Sequence, residues 1–312
     1  MPYPGEVSAL ITSLSFAFTA TFFTFAGRLV GSSVVNRTRL PFGMVMLILT
    51  HWIALGSLFP DAALDRWLWL SLSGVIGLSL GDAFLFQAFI WIGARLSMLL
   101  MSLAPVLAAL LAWIFLGETL TPGQTTGILL TTGGIAWVIA EQNRGHNQTP
   151  PGGRAVPPTT ADPERRNYKT GILFGIGAAT GQALGLILSK LGLVGDFSAL
   201  SGNVIRMLAA ASTIWIYALL RKQGKETTHQ LTAHPRAILF ILGGSIFGPL
   251  IGVSFSLLAV QQTEVGIAST LIALTPIFML PIGAVIFREK FGWQAVAGTL
   301  LAITGVAMLF LV

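Results

Sequence analysis

From Ser97 to Gly117 the chain carries no charged side chain, and comparable apolar runs recur along most of its length. About 18 or more uncharged apolar residues in a row make a helix long enough to cross roughly 30 Å of hydrocarbon. A soluble fold has no interior large enough to hide so many of them. Of the residues, 54% are hydrophobic and only 10% charged, against about 25% charged in ordinary soluble domains. Mean hydropathy is +0.79. The runs are continuous, whereas a transmembrane β-barrel alternates apolar and polar residues over about ten positions. The expected fold class is an all-α polytopic membrane protein.

Composition also removes several functions. Without cysteine, disulfides, thiolate metal sites and cysteine nucleophiles are out of reach. A pI near 10.2 would suit a nucleic-acid binder, but the basic residues sit in the breaks between apolar runs, where they set topology. No nucleic-acid partner is expected. The opening MPYPGEV lacks the basic stretch of a cleaved signal peptide, so the first span is expected to be retained.

The runs predict ten spans, at about 6–26, 41–59, 67–90, 95–116, 122–140, 170–190, 198–220, 236–260, 265–287 and 291–311. The connections LGETLTPG and FREKFG are short enough to force antiparallel neighbours. The stretch 141–169, rich in Pro, Gly and polar residues, reads as a flexible polar linker. It divides the chain into two five-span units, 1–140 and 170–312.

These units repeat each other. Pro105, Glu118, Gly127 and Gly134 recur 171 residues later as Pro276, Glu289, Gly298 and Gly305, and the same offset joins Gly77 to Gly248 and Gly81 to Gly252. Because five is odd, the second unit must enter the membrane from the opposite side, which gives an inverted repeat. Of the 18 lysines and arginines, fifteen fall in the odd-numbered loops. Arg66 and Lys190 fall in the others, and Arg206 falls inside span seven. Basic loops face the cytoplasm, so the count puts both termini outside. Inverted repeats are the architecture of many secondary transporters, with substrate bound near the midplane.

The tail of each unit, a proline in span four or nine, then GE or RE, then a glycine-studded last span, resembles the EamA domain. Two such domains of five helices make a carrier of the drug/metabolite transporter superfamily. The resemblance implies a ten-helix exporter of amino acids or similar metabolites in the inner (cytoplasmic) membrane of a bacterium, the YddG-type exporters of aromatic amino acids being one branch. It also implies cytoplasmic termini, against the charge count.

Charged groups deep in a span are functional candidates by default. Asp82 in GLSLGDAFLFQAF and Arg206 in SGNVIRMLAAAS are expected either to pair or to hold the two charged ends of a zwitterion. His51, Trp52, Gln87, Gln182, Asn203, Trp215 and Tyr217 complete a candidate substrate pocket of apolar walls with a few polar groups. Gly77, Gly81, Gly177, Gly181, Gly248 and Gly252 fit close helix packing, and Pro105 and Pro276 fit kinks or hinges. Glu118 and Glu289 sit at tight turns, where a carboxylate can cap the helix that follows.

No catalytic residue, metal site or cofactor is expected. GLSLG at 77–81 has the G-x-S-x-G spacing of a hydrolase elbow but lies inside an apolar helix, where the strand and turn that elbow needs are missing. The expected function is a secondary transporter that exports a small metabolite, amino acids first, by alternating access. Its partners are the lipid bilayer, the substrate, and a coupled proton or exchanged solute. The oligomeric state is not legible. A membrane enzyme acting on lipid or peptide and a passive solute channel are the alternatives.

Overall fold

The computed structural model describes residues 3–145, 168–287 and 292–311. Every described element is helical. In chain order they are α1 (Pro4–Val30), α2 (Ser32–Leu55), α3 (Leu64–Ser73), a π-helical segment (Gly74–Gly81), α4 (Asp82–Met101), α5 (Ala104–Leu116) and α6 (Pro122–Gly145). The second half has α7 (Tyr168–Gly192), α8 (Ala199–Leu220), the short α9 (Gly224–Ala233), α10 (Pro235–Ser245), a π segment (Ile246–Gly252), α11 (Val253–Gln262), α12 (Val265–Ile272), α13 (Thr275–Ile282), a π segment (Gly283–Phe287) and α14 (Trp293–Leu311). Among the described residues, nine helical stretches are long and apolar enough to cross a membrane. The more polar α6, 24 residues long, lies along the ninth of them, α14.

Several boundaries differ from the sequence expectation. Arg37 and Arg39 fall inside α2, because the helix starts nine residues before Pro41 instead of at it. Residues 141–145 continue α6, and Tyr168 and Lys169 open α7. The rest of the expected linker lies outside the described residues, as do Arg288 and Glu289.

The halves break their helices at matching places. One π segment ends at Gly81 and its counterpart at Gly252, 171 positions on. The fourth span is interrupted at Ser102–Leu103 and the ninth at Ala273–Leu274, each just before a helix with proline near its start. Proline has no N–H to give the carbonyl four residues earlier, so Pro105 and Pro276 each free one carbonyl. The helical turn closes instead through Leu103 N–H to Leu100 O at 3.1 Å and Leu274 N–H to Leu271 O at 3.2 Å.

Glycines set how the spans lie. Leu70, Gly77 and Gly81 meet Gly192, Gly185 and Gly181 of α7 in turn, so α3 and the π segment run antiparallel to α7. Trp91 and Ile92 reach Gly171, but Leu100 is back at Gly175 and Glu118 is at Lys190. The chain therefore reverses between Ile92 and Leu100, although helical bonding continues through the bend. In the other half, α1 lies on the equivalent span, with Thr19 at Gly248 and Phe16 at Gly252. Helix α6 crosses α14 antiparallel and reciprocally: Gly127 meets Gly305 while Gly134 meets Gly298. Between these contacts Thr131 Oγ1 donates to Ala302 O at 3.3 Å, and these two residues are also 171 apart.

Glu118 does not cap the helix that follows it. Thr121 and Gln124 do that, exchanging bonds of 2.9 Å (Thr121 N–H to Gln124 Oε1) and 3.1 Å (Gln124 N–H to Thr121 Oγ1), a capping box. Glu118 reaches across to the other half. Its Oε2 accepts from Val265 N–H at 2.8 Å, at the start of α12, and its Oε1 pairs with Lys190 Nζ at 2.6 Å. Lys190 also donates to Thr263 O at 2.7 Å. This end of the bundle is thus tied across both halves by one carboxylate and one ammonium.

The α6–α14 crossing tolerates no added atom at Gly134, where a Cβ would lie 2.5 Å from Ala302 N; at Gly133 it would meet nothing within 4 Å. Gly134→Ala is expected to lower stability by about 1–3 kcal/mol through overpacking, and Gly133→Ala to be neutral or stabilising by up to about 1 kcal/mol. Thermal unfolding of the two purified variants in detergent checks this. Equal midpoints would remove the close crossing.

Candidate functional site

Asn203 and Arg206 stand three residues apart on α8 and so share a face. Both are buried. Asn203 Nδ2 spends both hydrogens, on Pro249 O at 2.8 Å and on Ser254 Oγ at 2.9 Å. Pro249 lies inside the second π segment, so α8 is fastened to the broken part of span eight. On its other side α8 lies on the first π segment. A Cβ at Gly74 would fall 2.2 Å from Arg206 O, and one at Gly77 would be 3.4 Å from Arg206 Nη2. Only glycine at 74 lets the backbones approach so closely. The Asn203–Arg206 face therefore sits between two π segments, one from each half.

Two buried atoms here have no hydrogen-bond partner among the described residues: Asn203 Oδ1 and Arg206 Nε. No described residue forms an ion pair with Arg206. An unpaired buried polar group costs roughly 1–3 kcal/mol, more if charged, so such a pair on one face calls for a function. A cavity of about 640 Å³ opens nearby, between the chain leading into α8 (Gly195 to Ser198) and α11, with Ser254 on its wall. Ser254 is the residue that accepts from Asn203, which places the amide directly behind that wall.

Asp82 is not Arg206's partner. Its carboxylate pairs with Arg39 Nη2, with side chains 22% (Arg39) and 14% (Asp82) exposed. An Asp82–Arg206 pair, one of the two expected arrangements, gives way to an Arg39–Asp82 pair joining α2 to the start of α4. A second span starting at 41 leaves Arg39 in the loop before it, whereas α2 begins at Ser32 and carries Arg39 within the helix. The signal that could have found it is physical: a carboxylate that deep in a span needs a cation nearby.

The other candidate residues divide. His51 is buried, with Nδ1 2.6 Å from Ser57 O and Nε2 2.9 Å from Ser201 Oγ. A carbonyl can only accept, so Nδ1 donates to Ser57 O while Nε2 pairs with the Ser201 hydroxyl, which fastens α2 to α8. Trp215 Nε1 donates to Arg37 O at 3.0 Å, the carbonyl that Pro41 deprives of its helical donor. Trp52 and Tyr217 are 54% and 57% exposed, and Tyr217 faces the Arg221 guanidinium at 5.5 Å. Gln87 is exposed, and Gln182 is half-buried where α7 passes Gly81. Of the set, only Asn203 and Arg206 share the buried face. Gly177 packs against Phe84 and Gly181 against Gly81. Among the described residues no three His, Cys, Asp or Glu gather as metal ligands.

Two blocks of sequence, 3–140 and 169–311, match the EamA-like transporter family of the drug/metabolite transporter superfamily. The chain belongs to that family. It is an integral membrane protein, of a family of small-solute transporters. No curated protein matches it in sequence. A crystal structure covering 98% of this chain and 95% of its own superposes with TM-score 0.69 at 17% identity, which speaks for the fold alone. In this EamA protein each of the two family repeats supplies one of the π segments that flank α8, Gly74–Gly81 and Ile246–Gly252, and the orphaned groups of α8 lie between them.

The Arg39–Asp82 pair is open to a double-mutant cycle. Arg39→Gln or Asp82→Asn alone leaves one charge uncompensated in a poorly hydrated place and is expected to destabilise. The double variant should recover about 0.5–3 kcal/mol of the summed loss. Thermal or denaturant unfolding of the four proteins gives the coupling, and additive losses would show that the two side chains do not interact.

Proposed function

We propose that this EamA protein is a secondary transporter of small carboxylate-bearing metabolites, amino acids among them, working by alternating access. The observation that carries the reading is the buried Arg206, free of any described partner, between π segments contributed by the two repeats. In transporters, broken helices near the midplane mark the substrate site, because their freed backbone groups and helix ends can face a ligand. Arg206 presents donors only and suits a carboxylate through its planar fork.

The α6–α14 crossing supports an inverted repeat. When residue 127 touches the counterpart of 134, and 134 the counterpart of 127, a two-fold axis passes between the helices, and antiparallel helices place that axis in the membrane plane. Counting α6 as a span gives ten, five in each of the units 1–140 and 170–312, with 141–169 between them. The Glu118–Lys190 tie closes one end of the bundle and is a candidate for the contact that opens on alternation. We assign export across the inner membrane of a bacterium, in the manner of the amino-acid exporter branch, driven by a proton gradient or an exchanged solute. The positive-inside count supports termini on the outer face.

Purified protein in proteoliposomes is expected to move at least one amino acid faster than empty liposomes, with Arg206→Met reducing the flux at least tenfold. If no amino acid or related carboxylate moves, or if Arg206→Met transports as the native protein does, this reading fails. A reporter fused after Val312 is expected to be active only on the outer side of the membrane, and activity in the cytoplasm would reverse the assigned orientation.

A further inference from the structure

The two orphaned atoms on α8 ask for different things. Arg206 Nε–H can only donate, so it needs an acceptor. Asn203 has spent both amide hydrogens on Pro249 O and Ser254 Oγ, so its unpartnered Oδ1 can only accept and needs a donor. One turn of helix separates them, with Cβ atoms roughly 5–6 Å apart. A small molecule with a carboxylate and one donor on the adjacent carbon satisfies both at once.

We infer that the site selects carboxylates carrying a hydrogen-bond donor on the α-carbon, and therefore takes 2-hydroxy acids as well as α-amino acids. This rests on the carboxylate reading of Arg206 given above. The group facing the α-substituent is a neutral amide, and the other charged candidate, Asp82, is held by Arg39. A 2-hydroxy acid brings one negative charge to the guanidinium and fills the amide with a neutral hydroxyl, leaving a neutral site. An amino acid of the same side chain leaves the site with a net positive charge, and its ammonium is repelled by Arg206 at close range. The hydroxy acid is the better fit. The plain carboxylate, lacking a donor, leaves Asn203 Oδ1 buried and unpaired, which binding sites built around a polar group reject strongly.

The test uses the full chain in detergent and matched probes at equal concentration: alanine, lactate, propionate and ethylamine, then the same four types with leucine and phenylalanine side chains. Ligands that bind the folded state raise the unfolding midpoint. At the side-chain size that binds best, the hydroxy acid is expected to raise it by a few degrees, the amino acid by less, and the plain acid and the amine by little or nothing. A plain acid equal to the hydroxy acid would sink the donor requirement while leaving the carboxylate reading intact. An amino acid that binds while its hydroxy analogue is inert would also sink the inference alone. If no acid shifts the midpoint, the carboxylate site itself fails, and the inference with it. Asn203→Leu should erase the preference for the hydroxy acid over the plain acid. Asn203→Asp should turn the preference toward the amino acid. The native-protein series decides the matter even where these variants do not fold.

Discussion

A bilayer offers no water to a broken helix, so every backbone group set free inside one must find a partner in the protein. This chain breaks its helices often, and the partners can be named. Pro41 frees the carbonyl of Arg37, and Trp215 of α8 supplies the donor. Within the second π segment, Pro249 O accepts from Asn203 and Gly252 O from Thr12 Oγ1 at 3.2 Å. Near the first, serine side chains reach outward instead, Ser73 Oγ donating to Gly185 O of α7 and Ser79 Oγ to Ala210 O of α8 at 3.0 Å. Each of these bonds runs between spans. Satisfying the backbone and assembling the bundle are therefore the same event.

That rule makes the exceptions informative. Four buried side-chain atoms lack a hydrogen-bond partner among the described residues. Glu118 Oε1 is compensated by its ion pair with Lys190, and Thr132 Oγ1 is a single hydroxyl on α6. The other two, on Asn203 and Arg206, share one face of α8 between two broken spans. Burying a guanidinium without a described partner serves no packing purpose, which is the reason this face is proposed as the substrate site.

Much of the fold was legible because bilayer chemistry acts on sequence directly. Apolar runs gave the spans, and the recurrence of Pro105 and Glu118 as Pro276 and Glu289 gave the duplication. The site was legible only in part. Arg206 stood out as a charge within a span, but Asn203 looked like one polar residue among several, because only three-dimensional packing shows that its hydrogens are already used. Asp82 also stood out. Its partner did not, because Arg39 precedes Pro41 and a helix reaching past a proline is not apparent from local pattern. Glu118 was placed at its turn, while the helix it caps starts 147 residues later.

The sequence by itself determined that this is a helical membrane protein built from two copies of one unit, since hydrophobic length and internal repetition are properties of the linear chain. Tertiary structure alone decided which charges meet, which carbonyls are satisfied and which polar atoms are left over. Those outcomes depend on contacts between spans far apart in sequence. In a medium without water, an unmatched polar group can be recognised only after every possible partner has been placed.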